Sequence, residues 1–347
     1  MRQSPLLFFG ALLILLAFGL TTIWSTVPNL FPSQLLFIVI GSFFMLLAYK
    51  IDLCLVFSFS WVLYLISVGL LLSTFVLGEV TRGSTRWVYL GPFSLQFSEI
   101  IKPALAVFFA EYLSKHRVTS LRNLIYFLML LALPVLLVLI QPDLGSSLVI
   151  LALGLSLLIV SGLPPKYLIL GLLTASFIAF PAYNHLRPYQ QERLRSFINP
   201  YSDPAGSGYN IIQSVIAVGS GKISGLGVKQ GTQSHLKFLP ERHTDFIYAS
   251  FAEEFGLVGS TLMFISYLIL VTFWLKVAAS QIDPPKLFLL TAIITVFMFQ
   301  AIVNLGMNLG VLPVTGITLP LISYGGSSLI SLFTFIGLGL NVNRNRV

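Results

Sequence analysis

Long apolar runs separated by short polar gaps fill most of the chain, and the runs set the expected elements. A bilayer core takes about 20 apolar residues per helix. Ten runs serve as spans: Leu6–Trp24, Phe31–Tyr49, Leu53–Val76, Glu99–Leu113, Leu124–Ile140, Leu144–Gly162, Tyr167–Tyr183, Asp245–Trp274, Leu287–Asn308 and Ile317–Leu340. The first three carry no charge, whereas Glu99–Leu113 is short and holds Glu99, Lys102 and Glu111. Two polar stretches interrupt the series. One is Leu77–Ser98, and the other is a loop of about 60 residues, Asn184–Thr244.

The short gaps orient the spans, because cytoplasmic loops concentrate Lys and Arg. Alternate gaps hold Arg2, Lys50, Lys115, Arg117, Arg122, Lys166, Lys276, Lys286, Arg344 and Arg346, while the opposite short gaps hold only Arg82 and Arg86. The basic set therefore faces the cytoplasm. Both termini are expected there, as an even number of spans requires. The long 184–244 loop is then extracytoplasmic, and long loops escape the charge rule.

Composition agrees. The chain of 347 residues is 56% hydrophobic and 9% charged, against about 25% charged in a soluble domain. The surplus apolar surface must face lipid. An all-α, polytopic fold in one integral membrane domain, residues 1–347, follows. The net charge of +8 points to topology rather than nucleic acid, since the cations sit between spans. One cysteine, Cys54, excludes an internal disulfide. No small-residue cleavage site follows the first run, so it reads as a retained helix. No internal repeat or low-complexity segment is evident.

Charge at membrane depth is expensive and marks cavities or pairs. Four segments carry it, all on the outer side. In the first, Gly83–Trp87 and Gln96–Lys102, Ser98 is placed to cap a helix starting at Glu99. Glu99 and Lys102, three apart, share a helix face. They read either as a neutralised ion pair or, with Arg86, as a grip on phosphate. The second is Gln141-Pro142-Asp143-Leu144-Gly145-Ser146, where Asp143 suits a helix cap or a site equally. The third, Phe238–Tyr248, packs Glu241, Arg242, His243 and Asp245 into five residues. Thr244 or Asp245 would cap the next helix. That helix carries Glu253 and Glu254, which point about 100° apart, so one at most would face the same cavity. The fourth runs from Asn304 through Pro313, Gly316, Pro320 and Ser323 to Ser328. Its Pro and Gly break a helix near the outer face, which is tolerated where protein or a cavity satisfies the backbone.

A P-loop, a paired-His zinc motif and a Gly-x-Ser-x-Gly elbow are all missing. A lone Asp with cations suits phosphate-linked chemistry, in which a carboxylate acts as base and a Lys, an Arg or a divalent ion meets a departing phosphate.

Phe238-Leu239-Pro240-Glu241-Arg242-His243-Thr244-Asp245-Phe246-Ile247, the Leu319–Ser328 segment and the Gln141–Ser146 turn resemble the SEDS family (RodA, FtsW, SpoVE). Gly208–Ser214 and Gly231–Ser234 resemble its RodA branch. The resemblance implies a peptidoglycan glycosyltransferase that polymerises lipid II on the outer face of the bacterial cytoplasmic membrane, in cell-shape and division roles. It implies a class B penicillin-binding protein as partner and a divalent cation, Mg or Mn, as cofactor. It makes Asp245 the catalytic base and lines the cavity with Arg86, Trp87, Glu99 and Lys102. Asp143, Glu241, His243 and Ser323 join these as expected substrate-binding residues. One departure is Gln96-Phe97-Ser98-Glu99, where the family usually has Pro in the second position. A lipid II flippase or a membrane scaffold for the crosslinking partner is the alternative expectation.

Overall fold

In the computed structural model the described residues are 5–81, 84–90, 93–116, 118, 120–167, 169–171, 173–174, 177, 188–204, 206 and 208–344. Arg2, Arg82, Arg117, Arg346 and much of the expected span Tyr167–Tyr183 lie outside them. The elements run α1 Pro5–Thr26, α2 Phe31–Lys50, α3 Leu53–Ser58, α4 Ser60–Leu77, β1 Glu79–Thr81, β2 Ser84–Leu90, β3 Phe93–Leu95, α5 Phe97–Ile100, α6 Lys102–Lys115, α7 Leu121–Ile140 and α8 Leu144–Val160. They continue with α9 Pro188–Ile198, α10 Tyr209–Ser220, α11 Thr232–His235, α12 Ile247–Ala279, α13 Pro284–Asn308 and α14 Gly326–Arg344.

Seven of the described helices (α1, α2, α4, α7, α12, α13 and α14) are long and apolar enough to cross a membrane, and α8 is a shorter apolar helix. The fold is a predominantly helical polytopic membrane fold, with one small sheet. Its outward faces present bare apolar side chains such as Leu13, Leu65 and Val76, as lipid demands. Small residues let helices close on one another. A Cβ on Gly337 of α14 would lie 2.3 Å from the Met45 carbonyl of α2. The Asn341 amide of α14 donates to Ala48 O at 2.9 Å and Ile51 O at 2.7 Å. The last turns of α2 and α14 are thereby locked together at the end opposite the site described below.

Several expected boundaries move, each for a local reason. The run Leu53–Val76 is two helices, broken at Phe59, with Asp52 capping α3 through the Cys54 N–H at 2.9 Å. The run Glu99–Leu113 starts earlier and breaks at Ile101. Pro103 follows Lys102, and a proline confines its neighbour and cannot donate. The last span starts at Gly326 rather than Ile317. Pro320 lacks a donor, Leu321 has φ 67°, and the Ser323 hydroxyl accepts the Leu319 N–H at 2.8 Å.

Neither polar stretch is structureless. Strands β1, β2 and β3 form an antiparallel sheet in that order, with Glu79 opposite Trp87 and Val88 opposite Leu95. The long loop contains α9, α10 and α11. It also explains α12, which is helical from Ile247 to Ala279 but bends at Gly256, φ 63° and ψ −160°. The loop crosses the bend so closely that a Cβ on Gly256 would meet Gly225 N at 2.3 Å. In return the loop satisfies the bend. Leu226 N–H and Gly227 N–H donate to the carbonyls of Glu253 and Glu254, and Leu257 N–H donates to Lys222 O.

Candidate active site

The four polar segments meet at one end of the helices, around a cavity of about 700 Å³. Strand β2 supplies Arg86 and Trp87. The α5 turn supplies Gln96 and Glu99, and the α7–α8 corner supplies Pro142, Asp143 and Ser146. Glu241, Thr244 and Asp245 precede α12, and Gly316, Thr318, Tyr324 and Ser327 precede or begin α14.

Asp245 is the central group. The expected capping role falls away, since neither Thr244 nor Asp245 caps α12. The cap position is Phe246, with no side-chain bond, and the Ala249 N–H is instead met by Asn308 Oδ1 at 3.0 Å. The Asp245 carboxylate is thus left out of helix capping. It is half-buried, and burial raises it from the ordinary 3.8 to about 6. Glu241 pushes in the same direction, Arg193 and Arg86 pull it back, and Asp143 adds a smaller upward push. Glu241 itself sits at φ 48°, a conformation that non-glycine residues hold at about 1–3 kcal/mol. Its carbonyl accepts the N–H groups of Thr244 and Phe246 at 3.1 and 3.2 Å, and its carboxylate accepts the Thr244 hydroxyl at 3.2 Å, which fixes the turn.

The other acidic groups do different work. Asp143 caps α8, with Oδ1 accepting Ser146 N–H at 3.1 Å. Its Oδ2 accepts Gln96 Nε2 at 2.7 Å and the Ser98 hydroxyl at 2.9 Å. Ser98 is therefore not the cap of a helix at Glu99. It lies inside α5 and ties that turn to the α7–α8 corner. Glu253 accepts Gln233 N–H, Ser234 N–H and the Ser234 hydroxyl, which holds α11 in place. Glu254 bonds to Ser25 and Lys229 N–H. Neither glutamate lines the cavity.

Of the expected site residues, Arg86, Trp87, Glu99, Asp143, Glu241 and Asp245 line the cavity, and Lys102, His243 and Ser323 stand behind its wall. Lys102 is 1% exposed and folds onto Glu99, 8% exposed, whose carboxylate also accepts the Ser146 hydroxyl at 3.2 Å. The ion pair is thus the geometry seen, and Lys102 is not among the residues that line the cavity. Ser323 donates to Thr244 O at 2.7 Å. The His243 carbonyl accepts Tyr324 N–H at 2.9 Å, and its ring lies 5.9 Å from the Tyr324 ring. Both hold the two segments of wall together.

Arg86 Nε donates to the Gln141 carbonyl at 3.2 Å, and Gln141 is anchored through its amide to Leu71 O at 2.8 Å. The second cation, Arg193, was not anticipated. It comes from α9 in the long loop and donates to Val314 O at 3.1 Å. Glu192, Ser196 and Asn210 reach the cavity from the same loop. Glu192, Arg193 and Ser196 lie in the short polar run Pro188–Ile198, and Asn210 lies in the first turn of α10.

A polar, carboxylate-and-arginine cavity at one end of a predominantly helical membrane protein defines the class. The comparisons give the family. The FtsW/RodA/SpoVE model, described as cell cycle protein, matches residues 3–347. The peptidoglycan glycosyltransferase MrdB of Escherichia coli (strain K12) is 40% identical over 286 residues, covering 82% of this chain and 77% of the relative. Stage V sporulation protein E of Bacillus subtilis (strain 168) is 36% identical over 317 residues, covering 90% and 86%. A chain from a solved peptidoglycan synthase complex, described as coordinating polymerization and crosslinking, superposes with TM-score 0.86 at 33% identity, covering 100% of this chain and 99% of that one. The rod shape determining protein RodA of Thermus thermophilus superposes at 0.74 with 28% identity, covering 98% and 96%. This chain belongs to the FtsW/RodA/SpoVE family.

Proposed function

We propose that the chain is a peptidoglycan glycosyltransferase that polymerises lipid II at the outer face of the bacterial cytoplasmic membrane, with Asp245 as general base. The observation that carries this reading is the Asp245 carboxylate, left out of helix capping and facing a cavity lined by Arg86 and Arg193. The named activity of relatives such as MrdB supports it. Asp245 takes the proton from the 4-hydroxyl of an acceptor N-acetylglucosamine. That oxygen bonds to the anomeric carbon of the lipid-linked donor. The bond from that carbon to the pyrophosphate oxygen breaks, and undecaprenyl pyrophosphate leaves with the electron pair. An α-linked donor gives a β-1,4 bond by inversion. A base titrating near 6 is matched to neutral pH. Arg86 and Arg193 meet the departing charge, and bidentate guanidinium contacts suit phosphate.

Among the described residues no three His, Cys, Asp or Glu gather to hold a metal. The lining is nonetheless rich in oxygen donors, which suits Mg or Mn. Glu241 together with substrate phosphate oxygens would hold such an ion. Bound there, it supplies positive charge against the pyrophosphate.

The partner we assign is a class B penicillin-binding protein, supported by the likeness to a chain of a synthase complex. One experiment separates polymerase, flippase and scaffold. The purified protein is reconstituted in vesicles with fluorescent lipid II. Muramidase-sensitive glycan is expected, and lipid transfer between leaflets without polymer would overturn the reading.

A further inference from the structure

The structure assigns Asn304 and Asn308 the task of holding the base in register. This inference rests on Asp245 being the general base. Both residues lie in the last turns of α13 and are 0% exposed. Four apart, they share one helix face. Asn304 Nδ2 donates to the Asp245 carbonyl at 3.0 Å and to the Ile317 carbonyl at 2.7 Å. Asn308 Nδ2 donates to the same Asp245 carbonyl at 3.0 Å and to Asn304 O at 2.8 Å. Asn308 Oδ1 accepts the Ala249 N–H at 3.0 Å, in the first turn of α12.

The pair therefore grips the backbone of the reacting residue from two donors at once. It also ties that residue to the segment on the far side of the carboxylate. There Gly316, at φ 78°, lies beside the carboxylate, with its Cβ position 3.6 Å from Asp245 Oδ2, at van der Waals contact. The Ser214 hydroxyl donates to Asn308 O at 2.8 Å, which joins the outer-loop helix α10 to the same point.

The chemistry selects asparagine. One amide offers two donors and an acceptor. Leucine at 304 removes the amide donor to the Ile317 carbonyl, leucine at 308 removes the acceptor of the Ala249 N–H, and either one halves the grip on the Asp245 carbonyl, a penalty that is relieved only by local movement. Because Asn308 meets the start of α12, the Asp245 carboxylate need not turn inward to cap it. Movement of the base by about 1 Å is enough to lower turnover by about 10²-fold. Buried amides that served only as glue between helices would show their loss in stability instead.

The test uses the purified full chain carrying Asn304→Leu or Asn308→Leu, with lipid II polymerisation scored per folded molecule. The expected result is kcat lowered by about 10- to 100-fold, with KM for lipid II within about threefold of wild type. Asn304→Ser, whose hydroxyl falls short of the Asp245 carbonyl, gives the same split and replaces a leucine variant that does not fold. Wild-type kcat per folded molecule with only a lowered Tm overturns the assignment, as does a loss carried wholly by KM. Asp245→Asn is run alongside. If it polymerises at the wild-type rate, the base assignment has failed rather than the clamp.

Discussion

Replacing Asp245 by Asn should make the protein more stable at neutral pH while removing its chemistry. The carboxylate is raised from 3.8 to about 6 in the folded chain even though two arginines pull it down. A folded value above the unfolded one means that the native state favours the protonated form. That stabilisation is fully present below about pH 4 and is lost as pH rises through about 6. At pH 7 the ionised group is a net liability. A shift of about two units corresponds to about 3 kcal/mol. The side chain is half-buried, and discounting for solvent screening brings the figure to roughly 2 kcal/mol. Asparagine keeps the shape without the charge. Thermal unfolding in detergent should therefore show Tm a few °C higher than wild type at pH 7, with the gap closing by pH 4. The wild-type rate should in turn fall as pH drops through about 6. An Asp245→Asn protein less stable than wild type at pH 7, or a stability gap independent of pH, would refute this account of the site's electrostatics.

Lys102→Met leaves the buried Glu99 carboxylate unpaired, a loss of about 3–5 kcal/mol, so folded yield and Tm should drop. Adding Glu99→Gln should restore most of that stability, and a double variant as unstable as the single would show that Lys102 acts elsewhere. Gly256→Ala drives a methyl into the 221–227 crossing at 2.3 Å from Gly225 N, at a positive φ. It should destabilise by several kcal/mol, read as loss of folded protein on size-exclusion chromatography. Chelation by EDTA should slow polymerisation, with Mg or Mn restoring it.

The membrane class, most helices and the segments that build the cavity were legible because each rests on a local pattern. Apolar run length marks spans, and a Pro- or Gly-rich break at the outer level marks irregular backbone. Asp245 stood out by its motif. What sequence left open was pairing. Glu99–Lys102 and Asp143 each admitted a structural and a functional reading. Only geometry showed Lys102 folded onto Glu99 and both Asp143 oxygens bonded to neighbours. Asn304 and Asn308 sit in a mostly apolar membrane-spanning helix, and their bonds to Asp245 cross about 60 residues of sequence. Arg193 was hidden for a related reason. It lies in the long loop, where charge carries no topological message, and it reaches the site only because α9 folds back toward Val314.

The most direct test of the central claim is a gel of glycan products. Purified wild type and Asp245→Asn are incubated with fluorescent lipid II, and the products are digested with a muramidase. The account predicts a ladder of digestible glycan from wild type and none from a folded Asp245→Asn protein. Equal ladders from both, or no polymer from active-folded wild type, would contradict it.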